Sequence, residues 1–214
     1  MINYTILILS LITGIIGMVS YKKLTMPFKL LSVYLSYVFL DNVVNQYVNA
    51  VYKNNVWVLH AETIANYVFF SFIYYNLLKN KYIKKSILVS VILVTIFFII
   101  NASFLQPSEF PSNSMLINEI LFTIFSLLLF KQMLLYPLQV NILKQGVFWF
   151  NTAILFFSTT MFLNFALINY YFQQNIYMPV LNYFWHFIDI TFNLLLGIAI
   201  LTEKKVISTI DAER

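Results

Sequence analysis

Two acid–amide pairs in this chain have the spacing of chemistry. Glu62 is followed four residues later by Asn66, and Asp189 by Asn193. A step of four on a helix returns to the same face, so each pair aims a carboxylate and a carboxamide at a common neighbour. Asn182 and His186 continue the second pair backwards, and the four recur at steps of four, three and four as one stripe. Further polar lines are Tyr34, Asp41 and Asn45; Glu119, Thr123 and Ser126; and Thr160, Asn164 and Tyr171. Groups of this kind bind small cations and hydrogen-bond donors, and His186, Asp189, Glu62 and Glu119 together could ligate a metal ion. His60 differs from the others. Two residues from Glu62 is about 200° around a helix, so the pair shares no face, and His60 beside Trp57 is expected at a membrane interface.

The elements that must position these residues are membrane helices. Hydrophobic residues make up 61% of the 214 and charged ones 10%, against roughly 45–50% and 25% in a soluble domain. Seven stretches reach the roughly 20 apolar residues a bilayer core requires: 2–20, 28–51, 56–78, 86–104, 114–134, 146–171 and 179–202. With 4 glycines, 5 prolines and no low-complexity tract, residues 1–214 read as a single all-α transmembrane domain. The first apolar run has no basic residue before it, as expected of a retained first helix rather than a cleaved leader.

Of the 13 basic residues, 12 follow helices 1, 3, 5 and 7, and the opposite loops hold only Lys53. The positive-inside rule then places the N-terminus outside and the C-terminus in the cytoplasm, in a multi-pass protein of the cytoplasmic (inner) membrane. The basic surplus is a topology signal facing lipid headgroups, and nucleic acid is not an expected partner.

Helices 1 to 3 also resemble helices 5 to 7. Phe39, Leu40, Asp41 and Tyr47 match Phe162, Leu163, Asn164 and Tyr170 at identical spacing, and Glu62 with Asn66 matches Asp189 with Asn193. Such a duplication implies a parallel 3+1+3 plan with helix 4 as connector.

Asp41 and Asp189 fall about ten residues from the outer boundary, on the order of 15 Å deep, with Glu62 and Glu119 roughly 8–9 Å deep. The inner halves run as "NLLLGIAIL" and "FTIFSLLLF". The expectation is an acidic pocket open to the outside above a closed apolar half. Four buried carboxylates without a nearby arginine require protonation, hydration, a histidine or a bound cation. Ionisable groups in a membrane core point to function, which favours a functional reading of Asp41, Glu62, Glu119 and Asp189. For Asn42, Asn45, Asn66, Asn151 and Asn164, bonding to a neighbouring helix is the favoured reading. The candidate ligand-binding set is nonetheless taken broadly, as Asp41, Asn45, Glu62, Asn66, Glu119, Asn164, His186, Asp189 and Asn193.

Much chemistry is excluded or disfavoured. Cysteine is absent. No lysine occurs in helix 7 before Lys204, so retinal has no attachment site. No G-x-S-x-G, H-E-x-x-H or phosphate loop occurs, and "YPLQ" lacks the Pro-Gln dipeptide of PQ-loop transporters. With two histidines, a metal-dependent intramembrane hydrolase is the least favoured reading.

The helix 3 segment "WVLHAETIANYVFFSFIYYNLLKNKYIKK", the helix 6 segment "VFWFNTAILFFSTTMFLN" and the helix 7 segment "WHFIDITFNLLLGIAILTEKK" resemble a family of small seven-helix inner-membrane proteins of Bacteroidetes. Glu62, Phe148, Trp149 and Asn193 carry the resemblance, which spans most of the chain. The family has no assigned activity, and its genes often lie beside sensor kinases and response regulators, which implies signalling. A non-enzymatic receptor or sensor with a cytoplasmic or membrane partner is therefore the first expectation. A small-solute transporter is the second. No resident cofactor is expected, and a bound metal ion stays open.

Overall fold

The computed structural model describes residues 4–137, 141–174 and 179–212, and the backbone alone for residues 169, 172–173, 179–182 and 204–212. Seven α-helices follow one another: α1 (Tyr4–Ser20), α2 (Met26–Tyr52), α3 (Val56–Leu77), α4 (Lys81–Ile100), α5 (Ser112–Leu135), α6 (Gly146–Gln173) and α7 (Pro179–Ala212). Single turns of 3-10 helix extend α1 (Tyr21–Lys23) and precede α6 (Ile142–Lys144), and a π turn, Asn101–Leu105, extends α4.

Local chemistry sets several of these boundaries. α4 begins at Lys81, earlier than its apolar run, because the Asn80 side chain accepts from the N–H groups of Tyr82 (2.8 Å) and Ile83 (3.3 Å). α2 opens with a proline in its first turn and closes at Lys53, whose left-handed backbone (φ 56°) lets its N–H reach the Asn49 carbonyl.

Six of the helices close a ring in the order α1, α2, α3, α5, α6, α7, with α7 returning to α1. α4 stands outside it, packed chiefly against α3. Short connections force neighbours to run antiparallel. The loops at 53–55 and 106–111 therefore share one end of the bundle, here the Asn55 end, and those after α1, α3 and α5 share the other, the lysine end.

Small residues make the ring tight where α1 joins it. The buried residues of α1 are Ser10, Thr13, Gly14, Gly17 and Ser20, a stripe without a large side chain. A Cβ at Gly17 would lie 3.1 Å from the Ser32 Cα on α2, and one at Gly197 would lie 3.2 Å from Thr13 Cγ2. Backbones approach this closely only where side chains are nearly absent, the usual solution for helices in lipid. At the lysine end Gly146 sits against α7, where a Cβ would meet the Ala199 carbonyl oxygen at 2.6 Å, and Thr25 donates to Glu203 Oε1 at 2.9 Å.

Among the described residues, six helices are long and apolar enough to cross a membrane: α1, α3, α4, α5, α6 and α7. The chain is thus compatible with a multi-pass membrane protein in contact with lipid. α2 has the length but not the apolarity, since Lys29, Asp41, Asn42, Asn45, Gln46 and Asn49 all fall within it.

Candidate functional site

Part of each of several polar lines, namely Tyr34, Glu62 with Asn66, Glu119, and Asp189 with Asn193, meets within the ring. A cavity of about 120 Å³ lies there, and every ring helix contributes to its wall. α1 supplies Ile6; α2 Tyr34, Val38 and Asn42; α3 Glu62, Asn66 and Phe70; α5 Asn118, Glu119 and Phe122; α6 Ile154, Phe157 and Ser158; α7 Asp189, Phe192 and Asn193. α4 contributes nothing.

Helical periodicity explains the wall. Glu62, Asn66 and Phe70 on α3, and Tyr34, Val38 and Asn42 on α2, recur at steps of four and so share one face. The carboxylates of Asp41 and Asp189 lie within Coulombic range of Glu62. No lysine, arginine or histidine is among the lining residues.

The polar half of this cavity is under-satisfied by the protein. Asn118, Glu119 and Ser158 are 3%, 4% and 1% exposed, and Asn118 Oδ1, Glu119 Oε2 and Ser158 Oγ have no hydrogen-bond partner. Asn66 Oδ1 is buried and equally unpartnered. All four atoms belong to residues that line the cavity. The Ser158 hydroxyl faces the Glu119 carboxyl without closing a good hydrogen bond. An unpaired buried polar group costs about 1–3 kcal/mol, so Asn66 Oδ1 and Asn118 Oδ1 above all mark this cavity as a place where a donor from outside the fold is favoured.

Toward the lysine end the cavity gives way to aromatic rings. Phe70 packs on Tyr34 at 4.5 Å and on Phe122 at 5.4 Å between ring centroids, and Phe157 on Phe192 at 4.6 Å. Tyr74, Phe125 and Phe150 continue this layer. Within it Tyr74 donates to Asn151 Oδ1 (2.9 Å), Asn151 Nδ2 to the Ser126 carbonyl (2.9 Å), and Ser126 Oγ to the Asn151 carbonyl (3.1 Å). That knot is closed on itself and joins α3, α5 and α6.

No family model, curated protein or solved structure matches this chain. The site has to be read from its own geometry.

Of the expected residues, Glu62, Asn66, Glu119, Asp189 and Asn193 line the cavity. Asp41 stands beside it, held by the Tyr37 hydroxyl at 3.2 Å. Asn45 lies farther along α2 and accepts from Asn55 Nδ2, tying the α2–α3 loop down. Asn164 approaches Met161 Sδ at 3.7 Å, outside the wall. His186 is exposed and outside the lining, one helical turn from Asp189 toward the start of α7. Of the four residues considered for a metal ion, Glu62, Glu119 and Asp189 line the cavity and His186 does not. Asn182 lies outside the described side chains.

His60 lies near the Asn55 end of α3, on the side turned away from the cavity. It is 6% exposed, and its Nε2 pairs with the Gln106 carbonyl oxygen at 2.9 Å. Gln106 in turn accepts from Asn101 (3.0 Å) and the Asn113 N–H (3.2 Å) and donates to Ser112 (3.0 Å). This network fixes the α4–α5 connection to α3. The 200° offset from Glu62 sends His60 to this side of the helix and Glu62 to the axis.

Sequence reasoning missed Asn118 and Ser158. Ser158 was legible as the third member of the stripe Asn151, Ile154 and Ser158, whereas Thr159 and Thr160 bond to carbonyls of their own helix. Asn118 had no signal beyond its place beside Glu119. Two larger clefts, of about 360 and 550 Å³, lie at the lysine end around Lys79, Gln132 and Tyr136. None of the buried unpartnered atoms lies in either, and Gln132 is used structurally, accepting from the Lys79 N–H and donating to the Leu77 carbonyl.

Proposed function

We propose that this protein is a receptor-like membrane protein whose axial acidic cavity binds a small ligand or cation and passes the event to a cytoplasmic or membrane partner. The observation that carries this reading is the set of four buried, unpartnered polar atoms around one cavity walled by all six ring helices. A ligand that satisfies them touches every ring helix at once, so binding is coupled to helix packing. The aromatic layer favours signalling over passage, because it separates the cavity from the lysine end. The lysines there support a cytoplasmic placement of that end, α2 as a seventh span, and residence in the inner membrane.

One observation favours a second reading, solute transport. The ring order brings α1, α2 and α3 opposite α5, α6 and α7 with α4 outside, the arrangement a 3+1+3 duplication would produce, and Glu62 with Asn66 then corresponds to Asp189 with Asn193 across the cavity.

The test begins with the purified full chain in detergent, screened by thermal shift against metal cations, amines and sugars, in parallel with Asp189→Asn. A stabilising compound whose effect is lost in the variant supports the binding site, and a flat screen removes it. Counterflow of that compound in proteoliposomes then separates the readings: none is expected of a receptor, and saturable exchange would establish the transporter.

A further inference from the structure

The geometry points to a more specific occupant: a small organic ammonium ion, a primary amine carrying a compact apolar body of a few carbons. This rests on the reading of the cavity as a binding site and goes beyond it by naming the chemical class.

The wall has two unlike halves. One is oxygen: the carboxylates of Glu62, Glu119 and Asp189, the carboxamides of Asn66 and Asn118, and the Ser158 hydroxyl. The other is aromatic: Tyr34, Phe70, Phe122, Phe157 and Phe192. Three carboxyl groups without any basic side chain offer an anion no partner and favour a guest that brings positive charge. The unpartnered Asn66 Oδ1 and Asn118 Oδ1 are acceptors only, so the guest must donate, and an ammonium carries three N–H donors.

A bare metal ion fits less well. Calcium takes six to eight oxygen ligands and magnesium a near-octahedral shell, whereas about a third of this wall is aromatic ring that offers neither. A ring face does attract a cation, most strongly where water is excluded, and its apolar surface takes up a hydrocarbon body. The volume agrees: about 120 Å³ is far below the roughly 300–1,000 Å³ of pockets for drug-sized ligands, so the body must be small.

The test uses the full chain in nanodiscs and three probes at matched ionic strength: isobutylamine, its neutral counterpart isobutanol, and ethanolamine. Stabilisation and titrated affinity are expected to rank isobutylamine first. Ethanolamine should be weaker for want of an apolar body, and isobutanol at least about tenfold weaker, the effect of losing one charged contact. Glu119→Gln should narrow the preference for amine over alcohol, and Phe157→Leu should narrow the preference for isobutylamine over ethanolamine. Asn151→Ala, outside the cavity, should lower the baseline melting temperature yet keep the ranking, which separates misfolding from lost recognition. Equal binding of amine and alcohol would overturn the inference. A response to sodium, calcium or a sugar with none to the amines would overturn it too while leaving the binding site standing. No response to any probe would remove both.

Discussion

Glu119 and Asn151 illustrate two fates of a buried polar side chain in this bundle. Asn151 is fully buried and spends both ends of its amide, on Tyr74 and on Ser126, within a knot that nothing else enters. Its replacement by alanine orphans the Tyr74 hydroxyl and the Ser126 carbonyl, so Asn151→Ala is expected to destabilise by about 1–3 kcal/mol, read as a lowered thermal midpoint in detergent; an unchanged midpoint would show the knot to be idle. Glu119, 4% exposed, has an oxygen with no partner. Glutamine keeps the size and one acceptor of this side chain and no ion pair is lost, so Glu119→Gln is expected to leave the ligand-free midpoint unchanged or raise it. A drop as large as that of Asn151→Ala would mean that the carboxylate is structural. The sequence placed Glu119 on a polar line and Asn151 among the asparagines expected to bond a neighbouring helix, but nothing in the spacing tells a satisfied group from an unsatisfied one, because satisfaction depends on atoms from other helices.

The helices themselves were largely legible. Seven apolar runs became seven helices, and the boundaries that moved did so for local reasons such as the Asn80 cap. α2 is the instructive case. Its polar residues lower its apolarity below that of its neighbours, yet it stands in the ring between α1 and α3, turning Tyr34, Val38 and Asn42 to the cavity. What the runs did not show is how closely helices approach. The α1–α2 contact depends on Gly17, where a new Cβ would lie 3.1 Å from the Ser32 backbone and 3.2 Å from its Cβ. Leucine cannot be accommodated by a rotamer change, so Gly17→Leu is expected to cost about 1–3 kcal/mol as overpacking, with Gly17→Ala milder. A native melting temperature for Gly17→Leu would mean that α1 sits farther from α2 than described.

At the scale of the whole molecule, the site exists only because the ring closes. Ile6 of α1 joins Asp189 of α7 in one wall, and α1 meets α7 through Thr13 and Gly197. The chain contains no cysteine, which makes closure directly testable. Thr13 Cγ2 lies 3.2 Å from where a Cβ on residue 197 would be, within disulfide reach. The double variant Thr13→Cys with Gly197→Cys is expected to cross-link in native membranes on mild oxidation, and a pair combining Gly197→Cys with Ile92→Cys, on the exposed face of α4, is not. Failure of the first pair, with the variant folded, would open the ring.

The sequence by itself determined that the chain is helical and apolar, how many helices it has, and that Glu62 with Asn66 and Asp189 with Asn193 each occupy one face, because periodicity and apolarity are local properties of a helix. It did not determine which faces meet. His186 belongs to the same stripe as Asp189 and is nevertheless exposed, while Asn118 and Ser158, unremarkable in sequence, have buried atoms at the cavity. Only tertiary structure decides this, because the rotation and depth of each helix are set by packing against its neighbours, from the small stripe of α1 to the aromatic layer below the cavity.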